Sequence, residues 1–180
     1  METTFGRPMY QFPPAEDVRR DVIRFCREAI AREEIPMLLG YSLGKSQELL
    51  CGLAGAGLEI MLHESAERLT RVYAQCGQRF PAYEPLDASR AAGKVLICPP
   101  GSTRSTTLAG LARTRTAVVT GWALDPRCKF RSGVDAAFPL SDHADYPDLL
   151  DFVKRIGPKR VFTLHGFAAE FAGALREMGY

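Results

Sequence analysis

The stretch Pro36-Met37-Leu38-Leu39-Gly40-Tyr41, running into Ser42-Leu43-Gly44-Lys45-Ser46, decides the class of fold. Its apolar run is too short for a buried helix and is stopped by glycine, which reads as a strand covered on both faces. A helix over Ser46–Ala56 follows. Working outward, the same alternation recurs. An amphipathic helix near residues 15–33 carries Val18, Val22, Phe25, Cys26 and Ala29 on one face. A short strand at Leu58–Leu62, a helix from Ser65 to Cys76 and a strand at Lys94–Cys98 come next. The stretch Gln78–Gly93, with Pro81 and Pro85, is a loop. A helix near Thr106–Ala112 then leads to a strand at Ala117–Gly121. Strands alternating with helices, the strands apolar throughout, predict a Rossmann-like parallel sheet with both faces covered.

Past residue 114 the pattern changes. One strand is followed by an irregular stretch, Trp122–Leu140, and then by a well-marked helix. Pro147 suits that helix's first turn, Leu149, Leu150, Val153 and Ile156 form its apolar stripe, and Gly157-Pro158 stops it. An apolar strand ending at His165 comes next, and then a final helix with Phe167, Phe171, Ala174, Leu175 and Met178 at helical spacing.

Bulk properties exclude several classes. Hydrophobic content of 46% and charged content of 24% are those of an ordinary globular chain, and a net charge of +2 selects no partner. No apolar run is long enough to cross a membrane, and the start has no signal-peptide pattern. Five cysteines, an odd number with no Cys-x-x-Cys pair, are expected to be reduced thiols in a cytoplasmic protein.

Two histidines draw attention. His143 lies in the acidic turn Ser141-Asp142-His143-Ala144-Asp145, and His165 closes Phe162-Thr163-Leu164-His165 before Gly166. Helix then strand returns the chain to one sheet edge, so the two imidazoles are expected to converge, with Gly166 turning the backbone away. Gly40 to Ser46 nearly spells a phosphate-binding P-loop, but a P-loop needs four residues between its glycines and here there are three. The later strands also lack a terminal Asp for magnesium. Lys45 at a helix start remains a candidate contact for a nucleic-acid phosphate. Between residues 101 and 131, Arg104, Arg113, Arg115, Arg127, Lys129 and Arg131 face a single acid, Asp125. That clustering suits a phosphodiester backbone. Trp122 and Phe130 nearby offer faces for base stacking, but the core is their expected place.

Several segments resemble, in order along the chain, the β-CASP branch of the metallo-β-lactamase-fold nucleases, which process RNA 3′ ends or trim DNA. Glu2-Thr3-Thr4-Phe5-Gly6 looks like the acidic motif that opens the β-CASP insertion. Ser141 to Asp145 resembles the second motif, and Leu164-His165-Gly166 the third. Leu39–Leu50 and Val118–Trp122 are similar to further segments. The resemblance implies a β-CASP domain over residues 1–113, followed by the C-terminal segment of a metallo-β-lactamase αββα fold over 114–180. It implies that His165 ligates zinc, and that His143, paired with Glu2, protonates the leaving oxygen. Relatives hold two zinc ions mainly through an N-terminal His-x-His-x-Asp-His cluster. With only His63, His143 and His165, this sequence has none.

The chain therefore reads as the second half of a zinc-dependent nuclease for RNA or single-stranded DNA. It is expected to be inactive and to retain no zinc alone. Its partner is expected to be a separate N-terminal half or further copies of itself. Lys45, Arg104, Arg127, Lys129 and Arg131 are the candidate nucleic-acid contacts. The alternative is a non-catalytic module that binds nucleic acid or a partner.

Overall fold

A computed structural model describes residues 1–180 apart from 103–107, 109 and 112. The chain divides into two compact units, Pro14–Leu140 and a second made of Met1–Pro13 with Ser141–Tyr180. The expected helix near Thr106–Ala112 lies largely outside the described residues.

In the larger unit, helix α1 (Ala15–Ala31) precedes strand β1 (Ile35–Leu39), and α2 (Lys45–Gly52) leads to β2 (Ile60–Leu62). Helix α3 (Glu64–Gln75), the two-residue β3 (Glu84–Pro85) and β4 (Val95–Cys98) follow, then β5 (Thr114–Val119), α4 (Cys128–Ser132) and β6 (Ala136–Phe138). The six strands form one sheet in the order β3-β2-β4-β1-β5-β6. Every pairing is parallel. This is the α/β, Rossmann-like sheet that the alternating pattern predicts.

The period of two along each strand divides the core between the faces. Leu38, Leu62, Ile97, Ala117 and Val119 pack on one side with Val18, Val22 and Phe25 of α1 and Leu50 of α2. Met37, Leu39, Met61, Leu96, Cys98 and Val118 pack on the other, where Ala91, Leu108 and Cys128 cover them. Both faces are buried, which explains why these strands read as unbroken apolar runs.

The structure departs from the sequence reading at two stretches and at two aromatic side chains. Trp122–Leu140 is not irregular: it holds a 3-10 turn (Gly121–Leu124), α4 and β6. These elements are too short to show a period, and β6 is a half-buried edge strand. Gln78–Gly93 is not wholly a loop, since β3 pairs with β2 there. Phe130 is not core: it is 80% exposed, and Trp122 is also exposed. The expected domain division at 113/114 falls between β4 and β5, both of which flank β1 in the one sheet.

The smaller unit has α5 (Tyr146–Ile156) and α6 (Ala168–Glu177), packed through Leu149, Val153, Phe171 and Leu175. Asp145 caps α5, accepting from the Asp148 N–H at 3.0 Å, and Gly157 ends it in the left-handed conformation. The expected strand before His165 is not a strand of a sheet. It forms one isolated parallel bridge, Leu164 with Glu2.

Candidate active-site residues

The first residues of the chain pair with the segment that ends at His165. Leu164 N–H donates to the Met1 carbonyl and Thr3 N–H to the Leu164 carbonyl, both at 3.0 Å. The fully buried Thr3 hydroxyl donates to the His165 carbonyl at 2.8 Å. Phe167 and Gly6 N–H both donate to the Thr3 carbonyl. Arg7 lies over the Phe167 ring and forms an ion pair with Glu170. Residue 2, beside the start of the chain, is therefore anchored on both sides.

That anchoring fixes Glu2. Its Oε2 accepts from the Thr4 N–H at 2.8 Å and the Thr4 hydroxyl at 2.6 Å. Its Oε1 lies 3.2 Å from His143 Nδ1. Burial pushes the Glu2 carboxyl up. The Thr4 hydroxyl, the Thr4 N–H and His143 outweigh burial and hold it below the ordinary carboxylate value. Phe5, which is buried, sets its ring edge-on to His143 at 6.0 Å, and His143 N–H donates to the Ser141 hydroxyl at 3.0 Å. Glu2 thus touches His143 through its side chain while its backbone bridges the residue before His165.

Two successive left-handed residues, His165 at φ +61° and Gly166 at φ +56°, take the chain off at a sharp angle. Gly166 is required by its neighbours as well as by its angle. A Cβ there would stand 2.4 Å from Thr4 Cα and 2.6 Å from the Thr3 carbonyl oxygen. The glycine lets the N-terminal segment pass close enough to aim Glu2.

Sequence reasoning reached Glu2, His143 and His165 but missed Thr3, Thr4 and Phe5, which hold the first of them. A threonine two residues after an acid was the available signal, since such a side chain folds back onto its neighbour. Asp145, next to the histidine turn, is committed to structure: besides capping α5 it accepts from the Phe12 N–H at 2.8 Å. His165 is exposed. Among the described residues no group of three or more His, Cys, Asp or Glu side chains is placed to hold a metal ion.

The candidate nucleic-acid contacts belong to the larger unit and fall into different environments. Lys45 is buried, and its ammonium donates to Glu48. In the Gly40–Ser46 turn the Gly40 N–H donates to the Cys98 carbonyl, Lys45 N–H to the Leu43 carbonyl, Ser46 N–H to the Tyr41 carbonyl and Gly44 N–H to Gln47 Oε1, so these amides are not splayed as in a phosphate cradle. Arg113 and Arg115, at the start of β5, pair with Glu34 and Glu28. Arg127, Lys129 and Arg131 lie beyond its end and are exposed, the two arginines sharing Asp125. Backbone N–H donation from Arg127, reinforced by Arg131, takes the Asp125 carboxyl down to about 2. Arg104 lies outside the described residues.

Residues 136–179 match the family model of the Zn-dependent metallo-hydrolase RNA specificity domain. The match begins at β6 and takes in His143, α5, His165 and α6. Over 179 residues the chain is 56% identical to a protein of Opitutus terrae called a probable DNA ligase, covering 99% of this chain and 18% of that one. The chain therefore spans less than a fifth of the length of the curated relative it matches.

Proposed function

We propose that this chain, whose residues 136–179 match the Zn-dependent metallo-hydrolase RNA specificity domain, belongs to the β-CASP branch of those hydrolases and supplies the acid half of a phosphodiester-cleaving centre. In this reading Pro14–Leu140 is the β-CASP domain, and Ser141–Tyr180 is the segment that returns to the lactamase fold. The observation that carries it is the Glu2–His143 pair, 3.2 Å apart and held by Thr4. A nuclease must protonate the alkoxide that leaves phosphorus. An imidazole whose Nδ1–H is held by a fixed carboxylate keeps its tautomer and orientation, and so can deliver a proton from Nε2. Glu2 is the positioning residue and His143 the proton donor.

The family's metal does not fit this chain by itself. A catalytic zinc takes three protein ligands and an open position. His165 is exposed, and among the described residues it belongs to no group of three such ligands. The other ligands must come from another polypeptide segment. In keeping with this, Phe162, Leu164, Phe152 and Ile156 of the smaller unit are exposed, as apolar residues are when the surface that covers them is contributed from elsewhere.

On substrate, the family model names RNA, whereas the Opitutus terrae relative is called a probable DNA ligase. Single-stranded DNA ends, trimmed before joining, accord with the longer match. The test is a chimera carrying a relative's metallo-β-lactamase half in front of Glu2, offered single-stranded DNA and RNA. Metal-dependent cleavage is expected. His165→Ala should lose zinc and turnover together. His143→Ala should keep zinc and lose turnover by about 10²–10⁴-fold. A zinc-loaded chimera that cleaves neither substrate, or cleaves both equally well after His143→Ala, would leave the chain as a binding module only.

A further inference from the structure

Strands β1 and β5 are neighbours, and the chain leaves their ends in opposite directions. From β1 it passes through α2 to β2, two places away on the β4 side. From β5 it passes to β6, on the other side. Such a divergence opens a crevice outside the carboxyl ends of the strands, and open parallel sheets bind ligands there. A cleft of about 250 Å³ lies at that position. Its floor is the apolar end of the two strands, Leu39 with Val118 and Val119. Tyr41, Thr120, Trp122 and Arg131 also line it.

The chemistry of the walls is specific. Tyr41 is 65% exposed although it lies just past a buried strand, and Trp122, which lines the same cleft, is 37% exposed. An exposed aromatic side chain beside an apolar floor offers a flat face to a flat ligand. On α4, Phe130 is exposed between Lys129 and Arg131, continuing the aromatic and cationic surface away from the cleft. Asp125 bonds to both Arg127 and Arg131, at 3.4 and 2.6 Å, which ties Arg127 to Arg131 of the cleft lining. Aromatic faces that stack bases, set in a basic surface that tracks phosphates, are what single-stranded nucleic acid requires. In a duplex those base faces are already stacked on one another.

We infer that the crevice between the ends of β1 and β5 is a base-binding subsite for single-stranded nucleic acid, Tyr41 and Trp122 taking an unstacked base while Arg127, Lys129 and Arg131 take the flanking phosphates. The ligand class rests on the nucleic-acid reading above. The subsite itself rests on the larger unit alone and needs neither Glu2, His143 nor a metal.

Trp122 is the chain's one tryptophan, so its fluorescence reports on the cleft without a label. The 180-residue chain is titrated with an oligothymidylate and, at the same salt, with a blunt duplex of equal length. A saturable change in Trp122 emission is expected with the single strand, at an affinity about tenfold above the duplex. Anisotropy of a labelled oligonucleotide then compares variants. Tyr41→Ala should weaken the single strand about tenfold, or about 1.4 kcal/mol, through the lost stacking face. Tyr41→Phe should bind as the parent does, and duplex affinity should move less than twofold for either. Tyr41 is surface-exposed and only its backbone carbonyl holds the turn, so both variants keep the fold. The subsite is overturned if Tyr41→Ala and Tyr41→Phe bind alike, if the duplex matches the single strand, or if binding responds only to loss of Arg127 and Lys129. Cleavage by the chimera without this binding would remove the subsite alone. This binding without cleavage would remove the nuclease reading alone.

Discussion

Glu2 Oε1 and His143 Nδ1 lie 3.2 Å apart, although one residue stands at the start of the chain and the other opens its last quarter. No local periodicity creates this contact. It exists because residues 1–3 run parallel to the backbone before His165, and because Gly166 leaves room for Thr4. The carboxylate is then tied by the two Thr4 donors, so one short N-terminal segment positions both histidines' surroundings.

The first expectation concerns pH. The Glu2 carboxyl is held below its ordinary value of 4.5, so the unfolded segment binds a proton more readily than the folded one. A depressed carboxyl stabilises the fold fully above the ordinary value, and that contribution is lost as pH falls through the depressed one. The protection of the Thr4 amide, taken relative to its intrinsic exchange rate at each pH, should therefore be high above the ordinary carboxylate value and fall as pH drops below it. Glu2→Gln should show low protection on both sides of that value. Equal protection of the parent at pH 3 and pH 6 would show that Glu2 does not hold the segment.

Gly166 and Gly157 share φ +56°, yet only Gly166 has backbone atoms where a Cβ would go. Gly157→Ala should cost about 1 kcal/mol, the penalty of the left-handed conformation alone. Gly166→Ala must also push the Thr3–Thr4 backbone away and should cost about 3 kcal/mol or more. In a denaturant titration the two midpoints should differ clearly. If they coincide, the close approach of the N-terminal segment is wrong.

Thiol reactivity tests the core of the larger unit. Burial pushes the Cys26 and Cys98 thiols up to about 12, the latter despite an opposing bond from Ser102. Cys128 is buried as well, whereas Cys51 and Cys76 are exposed. Burial still raises Cys51, with Arg19 opposing it. The thiolate is the reacting species. A disulfide reagent at pH 8 should therefore modify Cys76 first, Cys51 more slowly, and the remaining three only on unfolding. Prompt reaction of Cys26 or Cys98 would contradict the packing of both sheet faces.

The sheet and its long helices were legible because burial imposes a pattern. Met37-Leu38-Leu39 and Val95–Cys98 are apolar at every position since both faces are covered, and α1 and α5 carry single stripes since one side is. The short β3, α4 and β6 left no pattern to read, being two to five residues long. At the candidate site the residue types and the glycine were legible, but the grip of Thr3, Thr4 and Phe5 was not. Contacts between the ends of a chain have no sequence period. The basic stretch misled for a related reason: its members are close in sequence, but a strand carries them apart.

That separation gives the last expectation. Arg113 and Arg115 precede or begin β5 and pair with Glu34 and Glu28, while Arg127, Lys129 and Arg131 follow its end. The strand between them has six residues, about 20 Å at ~3.3 Å each. One phosphate track engaging Arg127, Lys129 and Arg131 therefore need not engage Arg113 and Arg115. For single strands each neutralised phosphate contributes roughly 0.7 to the slope of log affinity against log salt. Replacing Arg127, Lys129 and Arg131 together by Gln should lower that slope by about 2. Arg113→Gln with Arg115→Gln should leave the slope unchanged and cost a little stability, since Arg115 also lies over the Phe25 ring. Equal slopes for all three proteins would exclude the α4 surface from binding. A fall confined to the Arg113 and Arg115 pair would move the nucleic acid to the opposite end of β5.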